Sequence, residues 1–333
     1  MTPPLSQVER RLLDELLAFH AAVRAGTPLP AGTPVRAGAS PYRDAVSAPR
    51  FRQPRRRSHI AQNAVVLVAL ACVALLLIVR ATGFGSGSAL AATPRPLHYI
   101  SPGPGAPSGQ EVLRRLAAAA AHQPARPPSR RATYAYVKTA GWYLDLSVGS
   151  GVVKSSVFPQ TTQSWLRPDG SGRIVTVTGG AQANVDSFTV HRDPRLFDLS
   201  TDPHILARQL AVGHPLSDGP QEQLVAFTDT ASQQPIRPAV EATILRLLAK
   251  IPGLINSGMV RDRAGRIGVA VSLDSASFRD RYTLILDPRT GRLLGFEQTL
   301  RGSPGRIPVR RGAVLAYTTI YSSGYVTNTT NTP

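Results

Sequence analysis

Histidines and carboxylates come close together at one place in the sequence. His191 and His204 stand among Asp193, Asp198 and Asp202, residue types that suit a divalent transition metal when they converge. Two of the aspartates directly precede prolines, as Asp193-Pro194 and Asp202-Pro203, which is turn and helix-cap chemistry. The cap reading is the simpler one, and no metal or cofactor site is assigned. Elsewhere there is no G-x-S-x-G elbow, no H-E-x-x-H pair and no phosphate-binding loop, so no catalytic residue is assigned and no enzyme is expected. Cys72 is the single cysteine, which excludes an intramolecular disulfide and a thiolate zinc cluster.

The formal net charge is +18, yet only three of the 38 basic residues are lysines, Lys138, Lys154 and Lys250. An arginine excess of this kind follows from GC-rich codon usage. No recognition motif accompanies the charge, so nucleic acid is not expected as a partner. A basic surface near anionic headgroups accounts for it more simply.

One stripe of residues does suit a partner. Ser6 and Glu9 have capping-box spacing, and Val8, Leu12, Leu16 and Phe19 then recur on one helical face up to a stop at Gly26 and Pro28. These four residues are the candidate partner-binding set. The same face could meet a cytoplasmic protein, a membrane surface or a second copy.

The strongest signal is the uncharged run Ile60–Val79, long enough to cross a bilayer core of about 30 Å at about 1.5 Å per residue. Arg55, Arg56 and Arg57 precede it, and the positive-inside bias puts the N-terminus in the cytoplasm. Ala89-Leu90-Ala91 resembles a signal-peptidase site. It lies too far beyond the run, however, and the region before the run is too long for a signal peptide.

The expected organisation is a basic cytoplasmic arm over 1–57, a transmembrane helix over 58–82 and a linker with one short helix over 83–132. An extracytoplasmic α+β domain over 133–326 and a disordered tail over 327–333 follow. In the linker, Ser108 and Glu111 open the helix that runs to Ala121. In the domain, period-2 alternation marks strands at Trp142–Val148, Ile267–Leu273 and Tyr282–Leu286, with a further strand over Val314–Tyr321. Helices are expected from Asp202-Pro203 to Gly213 and from Pro238 to Ile251. The second has an apolar face of Val240, Ile244, Leu247, Leu248 and Ile251, with Ile244 and Leu247 under the sheet. Tight turns require antiparallel pairing, and one-faced strands need a cover. The fold class is therefore α+β: an antiparallel, curved, half-barrel-like sheet with helices on one face, preceded by one membrane helix.

The segments Trp165–Arg173, Leu199–Pro203, LLAKIPG, Asp262–Arg266 and LDPRTGRLLG, in this order, resemble a family of actinobacterial single-pass membrane-anchored proteins of uncharacterised function. Members often look like companions of extracytoplasmic-function sigma factors. The resemblance covers Leu113 to Val326. It implies a sensing or regulatory role and a cytoplasmic partner such as a sigma factor, although the paired-cysteine zinc signature of anti-sigma factors is missing. At fold level the sheet-plus-helices pattern also resembles half-barrel lipoprotein carriers with an apolar cavity. Two functions follow: a membrane-anchored extracytoplasmic sensor or regulatory interaction protein, or a binding module for a lipid or other apolar ligand. A cavity beneath the sheet would favour the second, and a filled core the first.

Overall fold

Alternating strands joined by short turns leave the backbone one economical solution, a meander, and two meanders share one sheet here. The computed structural model describes residues 91–124, 133–149, 152–169, 171–179, 184–189, 198–275, 279–304 and 308–333. The strands are β1 (Tyr99–Ile100), β2 (Tyr134–Gly149), β3 (Val152–Leu166), β4 (Ser171–Thr178), β5 (Asn184–Thr189), β6 (Ile255–Arg261), β7 (Ile267–Asp274), β8 (Asp280–Leu286), β9 (Leu293–Leu300) and β10 (Val314–Val326). The helices are α1 (Gly109–Ala121), α2 (Pro203–Leu210), α3 (Glu222–Gln233) and α4 (Pro238–Leu248).

The sheet is open and ten-stranded, in the order β1-β6-β7-β8-β9-β10-β2-β3-β4-β5. Every pairing is antiparallel, and β10 joins the second meander to the first through Ala316 opposite Tyr143. Register shifts in β6, β9 and β10 mark bulges, which bend and twist a strand, so a curved sheet fits.

All four helices contribute to one core against one face of this sheet. Leu113, Leu206, Leu224, Phe227, Ile244 and Leu248 meet Val271, Leu284 and Leu286, all of them buried. Strand neighbours point to opposite faces, and the other face is buried too. There Val260, Ala270, Ile285 and Leu294 pack with Leu97 and Tyr99. Burial on both faces shows in β8, where Tyr282 to Leu286 are buried one after another.

Several expectations change. Leu247 is only half-buried, whereas Leu245 and Leu248 are buried, because α1, α2 and α3 wrap α4 as well as the sheet. The helix opened by Asp202 ends at Leu210, short of Gly213, and α3 had no sequence-based counterpart. The helix of the expected linker forms with its capping box complete, yet it belongs to the domain core through Val112, Leu113, Leu116, Ala117 and Ala120. The chain is part of the folded domain from residue 91, not from Thr133: the Ala91 N–H donates to the Pro308 carbonyl at 2.7 Å. Residues 327–333, expected to be disordered, are ordered against β3 and β4. Trp165 Nε1 donates to the Asn331 carbonyl at 2.7 Å, and Arg173 donates to that of Thr329 at 3.1 Å.

Candidate functional site

Val8, Leu12, Leu16 and Phe19, and with them the run Ile60–Val79, lie outside the described residues. Among the described residues no helix is long and apolar enough to cross a membrane. His191 and Asp193 also lie outside. Asp202 is the N-cap of α2: its Oδ1 accepts from the Ile205 and His204 backbone N–H groups at 3.0 and 2.8 Å. Those bonds hold its carboxyl below the usual carboxylate range. Asp198 is almost fully exposed and lies 3.7 Å from Arg237. The aspartate-proline pattern at Asp202 is thus cap chemistry, as its spacing suggested.

The densest polar constellation lies on the sheet face away from the helices, where residues 91–100 cross as a strap. The Glu297 side chain, on β9, is fully buried. Its Oε1 accepts from the Tyr99 hydroxyl at 3.0 Å and from the Leu97 N–H at 3.2 Å, while Oε2 pairs with Arg263. Arg263 also donates to the Arg95 carbonyl at 3.1 Å, and its guanidinium lies 4.1 Å from the centre of the Tyr317 ring. The β6–β7 turn places Arg263. Asp262 Oδ1 accepts from the Ala264 and Arg266 N–H groups at 2.9 and 2.7 Å, and Gly265 takes a φ of +81° that a side chain would resist. A hydroxyl ladder continues from there. Thr283 hydrogen-bonds Tyr99 and lies 2.8 Å from Ser272 Oγ, which lies 2.7 Å from Ser257 Oγ.

Burial pushes the Tyr99 phenol well above its ordinary value, and the Glu297 charge adds to the rise. Burial raises Tyr317 as well, against the pull of Arg263. A neutral phenol, a paired carboxylate and a stacked guanidinium are suited to holding a segment in place rather than to moving protons. A buried pair of this kind costs several kcal/mol when one partner is removed. The network fastens the strap to β6, β7, β8 and β9. One signal in the sequence pointed to it, a glutamate directly after the apolar residues Leu293 to Phe296. Arg263 gave none, because its turn reads completely as turn chemistry.

Three further carboxylates stand out, Glu222, Asp229 and Glu241. His214 lies with Nδ1 3.4 Å from Glu222 and Nε2 3.4 Å from Asp229, so only a protonated ring can donate to both. Burial pushes Asp229 up to about 6, with His214 opposing the rise and Glu222 adding to it. On α4, Glu241 accepts from the Leu293 N–H at 3.1 Å, and burial pushes it up to about 7. Among the described residues no three His, Cys, Asp or Glu side chains are placed to share a metal ion.

No family model matches the chain, and no curated protein does. Among solved structures, the complex of Pseudomonas aeruginosa MucA/MucB is similar at 14% identity and a TM-score of 0.24, over 65% of this chain and 56% of that one. A crystal structure of MucB is similar at 16% identity and a TM-score of 0.23, over 69% of this chain and 62% of that one. The chain therefore spans less than two thirds of either. Likeness at TM-scores this low bears on neither partner nor role.

Proposed function

We propose that the chain is a membrane-anchored sensor or regulatory interaction protein with a non-catalytic extracytoplasmic domain and a cytoplasmic helix that engages a protein partner. One structural observation favours this over an apolar-ligand carrier: among the described residues, the space between helices and sheet is filled. Leu113, Phe227, Ile244, Leu245, Tyr282 and Leu284 all meet there with less than 2% of their surface exposed. The resemblance to companions of extracytoplasmic-function sigma factors agrees with the same reading and points to a sigma factor as one partner to test.

The cytoplasmic contact in this proposal is the stripe Val8, Leu12, Leu16 and Phe19. A lone helix of this length is marginal in water, and docking its apolar face would stabilise it. The polar face mixes Glu9, Asp14 and Glu15 with Arg10 and Arg11, which suits a protein groove better than anionic lipid. In a pull-down from the cytoplasmic side, Leu12→Asp with Leu16→Asp should lose the partner while the protein still fractionates with the membrane. Recovery of the same proteins by the double variant would refute the helix as the contact.

A further inference from the structure

We propose that the cleft between α1 and α4 binds the phosphodiester headgroup of an anionic phospholipid. This cleft of about 670 Å³ is lined by Gln110, Arg114, Arg246, Ala249, Lys250 and Pro252. Its lining holds three cations and no acid. Arg246 and Lys250 are four residues apart on α4 and its C-terminal end, where like charges repel. Arg114 faces the same space from α1. The carboxylate of α1, Glu111, attracts Arg114 at a distance but spends its hydrogen bonds on the Ser108 N–H at 2.7 Å and the Ser108 hydroxyl at 2.9 Å. None of the three cations has an ion pair or side-chain hydrogen bond among the described residues.

Unpaired like charges in one concavity lower their energy by taking up an anion, and guanidinium groups match phosphate oxygens in geometry. The carbonyls at the end of α4 would repel that anion, but they are occupied. The Lys250 and Ile251 N–H groups return to Leu247 and Leu248, and Gln110 donates to the Ile251 carbonyl at 3.2 Å. The apolar floor of Ala249 and Pro252 suits the glycerol end of an amphiphile better than a free ion. The lipid source rests on the anchored reading. If Ile60–Val79 spans the bilayer, residues 80–90 are all the chain between the anchor and the strap, so headgroups are within reach of the domain.

The test uses the full chain in neutral detergent, titrated with short-chain phosphatidylglycerol, short-chain phosphatidylcholine or inorganic phosphate, with amide hydrogen exchange followed over residues 109–121 and 238–252. Phosphatidylglycerol should slow exchange in both segments, and the other two should not. Arg114→Gln/Arg246→Gln/Lys250→Gln should weaken that response at least tenfold. Arg289→Gln/Arg310→Gln/Arg311→Gln, with the same loss of charge on other exposed arginines, should leave it in place. No protection, equal loss in both triple variants, or equal protection by inorganic phosphate would overturn the proposal. None of these readouts depends on insertion or on the cytoplasmic helix. Those are judged separately by membrane fractionation and pull-down.

Discussion

Glu241 shows at the scale of one residue how burial turns a carboxylate into a pH-dependent liability. Its folded value is raised from 4.5 to about 7, so between those values the native chain holds a proton that the unfolded chain has released. Stability is then greatest below about pH 4.5, falls as pH rises and levels off above about 7. The fall is on the order of 3 kcal/mol for this group alone. Glu241→Gln keeps an acceptor for the Leu293 N–H and removes the charge. Its denaturation midpoint should exceed the wild type's at pH 8 and match it near pH 5; equal midpoints at both values would show that Glu241 is not buried as a charge. Glu297 differs in having a partner: it is fully buried and ion-paired with Arg263. Glu297→Ala should cost about 3–5 kcal/mol because it strands Arg263, and Glu297→Leu with Arg263→Met should cost less than either single change. Trp142 and Trp165, both in the sheet, report unfolding by fluorescence.

Element by element, the parts legible in sequence were those whose signal is local. The capping box at Ser108 and Glu111, the Asp202-Pro203 start of α2 and the Asp287 turn each depend on a few neighbouring residues, and each forms as read. Asp287 Oδ1 accepts from the Arg289 N–H at 2.8 Å, and Gly291 takes a φ of +74°. What failed was set by distant partners. Leu247 and Leu248 are adjacent and chemically identical, so helical periodicity ranked them together; only the packing of α1, α2 and α3 around α4 buries Leu248 more deeply. Leu248→Ala should therefore cost about 2–5 kcal/mol, and Leu247→Ala distinctly less, in thermal or chemical melts. If the two variants lose equal stability, the orientation of α4 is wrong. The tail 327–333 was misread for a similar reason: a polar composition says nothing of a tryptophan N–H that needs a carbonyl.

For the whole molecule, the order of the sheet folds back on the order of the chain. The last strand, β10, lies between the two meanders, and the first described segment lies across the face of the second. The candidate site was therefore the least legible feature, since Tyr99 and Glu297 are 198 residues apart. Read from sequence alone, its parts fall in different regions, Tyr99 in a linker and Glu297 in the domain.

The strap also has a mechanical meaning. If the chain is held in a bilayer at one end, any tension between membrane and domain enters at residue 91 and meets the fastenings in series: the Ala91 bond to Pro308, the Arg95 bond to Arg263, then Leu97 and Tyr99 on Glu297. Helix α1 and the helical core lie downstream of all of them in the chain, so the strap should give way before the core unfolds. Pulled from its N-terminus in an optical trap, the domain should give a small first rupture that releases the strap and a larger one that unfolds the rest. Glu297→Ala should lower the force of the first step and leave the second unchanged. Each small rupture would uncover Val260, Ala270, Ile285 and Leu294, so that a pull on the membrane side becomes a fresh apolar surface on the domain.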